Sequence, residues 1–131
     1  MSALDPHERD LVKCEDMRIH TERARQFLGS YSLAEFRNDA LVQDAVIRCI
    51  EVVGEAARLV SVETRNCAPS SPWSLVIGMR NVLAHDYGAV DLDRVYTVVT
   101  EHLPAMIKHI RDLIVTLEKE VGWREKMKDD R

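Results

Sequence analysis

The chain has 131 residues, 46% hydrophobic and 31% charged, with a net charge of −4. That is enough for one domain with its own core, in the proportions of an ordinary globular protein. The acidic balance excludes a nucleic-acid coat protein that relies on a broad basic surface, while leaving room for a small local site that acts on RNA.

The start, MSALDPHERD, is charged within a few residues and has no apolar segment of the secretory kind. No stretch approaches the ~18 apolar residues of a membrane span. The protein is therefore expected in the cytosol, with no membrane association. The first helix opens at DPHE, where Asp5 caps, Pro6 fits the first helical position and Glu8 completes a capping box. Leu11, Cys14, Met17, Ala24 and Phe27 recur at helical intervals, and GSYS at 29–32 ends the helix.

A second helix starts near NDA at 38–40. Its inner stripe is Val42, Val46, Cys49, Val53, Ala56 and Val60, with Leu41, Ala45, Val52 and Leu59 as an adjoining apolar flank. Such a width exceeds what one surface helix needs, and it predicts packing on the chain's own core and on a second copy. The remaining face, with Asp44, Arg48, Glu51, Glu55 and Arg58, reads as a solvated charge ladder. Gly54 lies inside this helix, where it costs about 1 kcal/mol relative to alanine, and so predicts a close backbone approach.

NCAPSSP at 66–72 is a loop, and Ser71 followed by Pro72 starts a third helix carrying Trp73, Val76, Ile77, Leu83 and Ala84. Gly88 is suited to end it. The fourth helix begins at DLD (91–93) and repeats Leu92, Val95, Val99, Leu103, Ile107, Ile110, Ile114, Leu117 and Val121. Pro104 is expected to kink it. The predicted fold is all-α: an antiparallel four-helix bundle with a long kinked C-terminal helix. Residues 1–122 form the domain, and 123–131 a charged, frayed tail.

Nothing points to a metal or a cofactor. Cys14, Cys49 and Cys67 are widely spaced without a CxxC, Cys14 and Cys49 fall on apolar faces as buried free thiols, and His102 and His109 lack ligand spacing. The polar exception is RNVLAHDY, residues 80–87. Arg80 falls at the edge of the apolar stripe and needs an anionic partner or a wet cleft. Glu51 or Glu55 could supply a structural ion pair. Asn81 and His85, four apart, share a face, and so do Arg80 and Tyr87, seven apart, if the helix runs on to Gly88. Arg80 and His85 differ by about 140° around a regular helix, so one straight copy does not aim both at one atom.

Histidine can serve as general acid or base near neutrality, and arginine can hold a phosphate bidentately. Without a metal, RNA cleavage would use the substrate's own 2′-hydroxyl, with a base on one side of the phosphorus and an acid on the other. One motif offers a single histidine; a two-fold dimer would offer two.

RNVLAHDY resembles the Arg-x4-His-x-Tyr signature of HEPN-domain proteins of the HepT-like toxin family. QDAVIRCIEVVGEAA (43–57), PWSLVIGMRNVLAHDYGAVDL (72–92) and VVTEHLP (98–104) are similar to the family's second helix, motif region and fourth helix. The resemblance spans residues 7 to 117. It implies a HEPN-like homodimer and a metal-independent endoribonuclease acting on RNA as the toxin of a toxin–antitoxin system, with an MNT-type nucleotidyltransferase as antitoxin. On that basis Arg80 would bind or activate the scissile phosphate, His85 would be the acid or base, and Asn81 would support them. Tyr87 would accept AMP from the antitoxin, an anionic group able to block the cleft. Arg48, Glu51 and Glu55 are the expected cleft neighbours. The alternative is a non-catalytic helical dimer that serves as binding partner and modification substrate of a nucleotidyltransferase.

Overall fold

The structure, a computed structural model, describes residues 4–85 and 90–129, without the side chains at 85, 124, 128 and 129. All regular structure among the described residues is helical. α1 spans Pro6–Leu28, α2 Leu33–Arg37, α3 Ala40–Leu59, α4 Val62–Arg65 and α5 Trp73–His85. α6 (Leu92–Thr97) passes through a π-helical stretch, Val98–His102, into the long α7, Leu103–Asp129.

The helix starts follow from local side-chain chemistry. Asp5 accepts from the backbone N–H groups of His7 and Glu8 at 2.8 and 3.1 Å, and Glu8 reaches back to the Asp5 N–H. Asp39 accepts from Val42 N–H at 3.1 Å and opens α3. Gly29, at φ 55°, closes α1 in a conformation that favours glycine. The predicted cap Ser71 is buried, and its hydroxyl lies 3.0 Å from His109 Nδ1. The proposed stop at Gly88 and the helical alignment with Tyr87 fall outside the described residues.

The helices pack as the expected bundle with a long C-terminal helix, to which two short helices are added. α2 carries its own capping box, Ser32 with Glu35, and buries Phe36 against Tyr96. α4 is capped by Ser61, whose N–H and hydroxyl both donate to Asp10 of α1, as does the Thr64 hydroxyl.

α1 packs on both α3 and α7, and α3 also packs on α5. Contacts fix the directions of the first two pairs. Asp10 near the start of α1 meets Ser61 just past α3, and His7 meets Glu120 late in α7 while Glu22 meets Arg111 earlier in it. α1 is therefore antiparallel to both. The core holds Met17, Phe36, Ile50, Leu103, Met106 and Ile110 almost fully buried, each burial contributing about 1.5–3 kcal/mol.

The stripe of α1 runs Asp10, Cys14, Met17, Thr21, Ala24 and Leu28, not through Phe27, which is 46% exposed. Steps of four and three reach Leu28; Phe27 lies about 100° away around the helix. Buried Met79 joins the expected stripe of α5. In the last helical run, the buried positions Val95, Val99 and Leu103 step by four, which the wider π-helical turn accommodates just before Pro104. The helix then continues to Asp129, and beyond Val121 its described side chains are exposed. All three cysteines are free, Cys14 and Cys49 buried and Cys67 exposed; burial pushes the Cys14 thiol up to about 12. Among the described residues no helix is long and apolar enough to cross a membrane.

Candidate active site

Gly54 determines how Arg80 is presented. A Cβ built there would collide with Arg80 Cβ and lie 2.6 Å from the Val76 carbonyl oxygen. The bare backbone of α3 thus lets α5 settle against it, as its mid-helix glycine predicts. Arg80 faces the next residue of α3: its Nη2 is 3.2 Å from Glu55 Oε2. Its other terminal nitrogen donates to Asn81 Oδ1 at 3.3 Å. The ion pair offered by the sequence is present, and Glu55 is the partner.

Glu55 also binds Arg58, whose Nη2 and Nε donate to the two carboxylate oxygens at 2.6 and 3.2 Å. The Arg58 hydrogen bond, joined by the charges of Arg58, Arg80 and Lys13, outweighs desolvation and holds Glu55 below the usual glutamate range. It is an anion at neutral pH, so its hydrogen bonds from Arg58 are charge-assisted, and it attracts Arg80 as an ion pair.

Arg80 and Glu55 border an open cleft of about 230 Å³ between α1, α3 and α5. Arg80 and Ala84 form the α5 wall; Arg48, Glu51, Val52, Glu55, Ala56 and Leu59 form the α3 wall; Lys13 and Asp16 contribute from α1. All three expected neighbours, Arg48, Glu51 and Glu55, therefore share the cleft with Arg80. Lys13 and Asp16 are additions. They lie at the (i, i+3) spacing of one helix face, but only the docking of α1 on α3 reveals which cleft they border.

Charge in the cleft is balanced locally. Arg48 lies 3.5 Å from Glu51, Lys13 4.0 Å from Asp16, and Arg80 3.2 Å from Glu55. Arg48 remains 75% exposed and Arg80 only 30%, so Arg80 is the cation with the more restricted surroundings. Asn81 is exposed and uses its carbonyl oxygen on Arg80. His85 is the last residue of α5, one helical step beyond Ala84 on the cleft wall, but its side chain lies outside the described set, as does Tyr87 altogether. Among the described residues no group of His, Cys, Asp or Glu has the arrangement to hold a metal ion. What the described groups can do chemically is bind an anion through guanidinium N–H donors.

The family model described as "Ribonuclease HepT-like" matches residues 17–113, which include the α3 wall and the whole of RNVLAHDY. "Putative RNase MJ1380" of Methanocaldococcus jannaschii is 33% identical over 65% of this chain and 78% of its own length. "Putative RNase MJ0125" of the same organism is 35% identical over 71% of this chain and 80% of its own length. "Probable ribonuclease HepT" of Thermococcus cleftensis is 30% identical over 70% of this chain and 84% of its own. No solved structure matches the chain significantly.

Proposed function

The chain belongs to the HepT-like ribonuclease family, and from that premise we propose that it is a metal-independent endoribonuclease and the toxin of a toxin–antitoxin pair. The observation that carries the reading is the placement of Arg80, together with Ala84, which directly precedes His85 in the chain, on the wall of an open cleft. Arg80 engages a phosphate of bound RNA with its remaining N–H groups; a guanidinium has five, of which Asn81 takes one, while Glu55 holds the group as an ion pair at 3.2 Å. A base removes the proton of the 2′-hydroxyl, the 2′-oxygen bonds to phosphorus, and the bond to the 5′-oxygen breaks as an acid protonates it. His85 takes one of these roles, and His85 of a second copy, across a two-fold axis, takes the other. The flank of α3 supports such a dimer, since Leu41 and Leu59 are 80% and 46% exposed within one chain.

Purified protein in EDTA is expected to cleave RNA to fragments ending in 2′,3′-cyclic phosphate. Arg80→Ala and His85→Ala are each expected to lower the rate by about a hundredfold or more with the fold intact. Full activity in both variants, or cleavage of a substrate lacking every 2′-hydroxyl, overturns the reading.

One observation favours a second reading. Among the described residues, every cation on the cleft wall has a carboxylate partner in the same cleft, which suits a non-catalytic dimer that serves as partner and substrate of an MNT-type nucleotidyltransferase. In either case AMP transfer to Tyr87 would place an anion two residues from His85. Intact-mass measurement after incubation with such an enzyme and ATP tests this: an AMP increment lost in Tyr87→Phe supports it, and no increment removes it.

A further inference from the structure

Arginine has a long side chain, and a cleft wall does not by itself fix where its guanidinium points. Two features of α3 fix it here. Gly54 removes the side chain that would hold α5 away, so the Arg80 stem lies directly on the α3 backbone. The next residue, Glu55, then meets the guanidinium at 3.2 Å. Glu55 is itself held from the other side, since Arg58 binds both of its oxygens.

We propose that Glu55 is a positioning residue for Arg80: anchored by Arg58, it fixes the rotation of the Arg80 guanidinium so that its remaining N–H groups face the cleft. This rests on the ribonuclease reading above. The Arg58–Glu55–Arg80 chain is a support rather than a pair, because Glu55 carries two guanidinium groups and only one borders the cleft. Asn81 takes the second terminal nitrogen of Arg80, so the fork is held at two points. A group held at two points loses less freedom when phosphate binds, and its alignment bears on the bond-breaking step more than on substrate capture.

The test combines rates with a direct view of Arg80. In Glu55→Ala, kcat for RNA cleavage is expected to fall about tenfold or more while KM changes less than about threefold. Glu55→Asp, which keeps the carboxylate charge that attracts Arg80, is expected to recover most of the lost kcat. In side-chain 15N NMR spectra, the Arg80 signal, identified by its loss in Arg80→Lys, is expected to show faster guanidinium rotation in Glu55→Ala. Unchanged kcat, a faster enzyme, no recovery in Glu55→Asp, or an unchanged Arg80 signal each overturns the proposal. Should Glu55→Ala not fold, Arg58→Ala takes its place, with a severalfold fall in kcat expected and the parent rate overturning. Arg80→Ala separates the two ideas. If it cleaves normally, or the parent does not cleave at all, the ribonuclease reading fails and the NMR signal alone decides the role of Glu55.

Discussion

At the scale of single residues, Gly54 and Arg80 form one construction. The space beside Gly54 is filled by α5 backbone and by the stem of Arg80, neither of which can swing aside as a flexible side-chain tip can. Gly54→Ala would gain helix propensity of about 1 kcal/mol but force the two helices apart, an overpacking that costs about 1–3 kcal/mol. The collision is with backbone, so the loss is expected to dominate. A lower Tm in thermal denaturation checks this, and an unchanged or higher Tm would contradict it. Part of this was legible in the sequence. A glycine inside a strong helical pattern signals a close approach, and Arg80 at the edge of an apolar stripe signals a need for an anion. Which anion was not legible, because Glu51 and Glu55 are equally plausible by spacing and only the docking of α5 on α3 selects Glu55. Lys13 and Asp16 were missed for the same reason, since the cleft they line exists only in the packed molecule.

At the scale of elements, helix starts governed by local rules are legible in the sequence and short elements are not. Asp5 and Asp39 act through hydrogen bonds within three residues, so their capping is written in the sequence. α2 and α4, at five and four residues, are too short to show a hydrophobic period. α4 is fastened to α1 through Asp10, which is 4% exposed and accepts from Ser61 and Thr64. Desolvation raises the pKa of this carboxyl, but the hydrogen bonds from Ser61 and Thr64, with the nearby His7, outweigh it, and the net direction is down from 3.8. A depressed folded-state pKa contributes stability that is present above pH 3.8 and is lost as the pH falls through the lower folded value. Asp10→Asn is therefore expected to lose about 1–3 kcal/mol at pH 7, since a buried acceptor is exchanged for a group that is in part a donor. The gap between the two proteins should narrow as the pH drops below that range. Denaturant titrations at several pH values measure it, and a constant gap would contradict the assignment.

At the scale of the whole molecule, the flank of α3 is wider than one chain covers. Leu41 and Leu59 remain exposed although they continue the apolar pattern of the helix. For the proposed dimer, Leu59→Glu is expected to shift sedimentation from twice the 15.0 kDa chain mass toward one and to lower RNA cleavage with helical content retained. A dimer that survives would place the interface elsewhere. The balanced charges of the cleft have a further consequence for that site. Lys13, Arg48 and Arg80 are accompanied by carboxylates fixed to the same framework, and these act as tethered counterions. A nucleic-acid phosphate bound beside them meets little net positive charge, so few of the RNA's own condensed counterions are released and the entropy that normally drives such binding is mostly absent. Three free cations would give a slope of log affinity against log salt near −2 for single strands; here a clearly shallower slope is expected. Such a cleft would gain little by waiting for dilute salt, and would hold its RNA across ionic strengths that strip a basic surface bare.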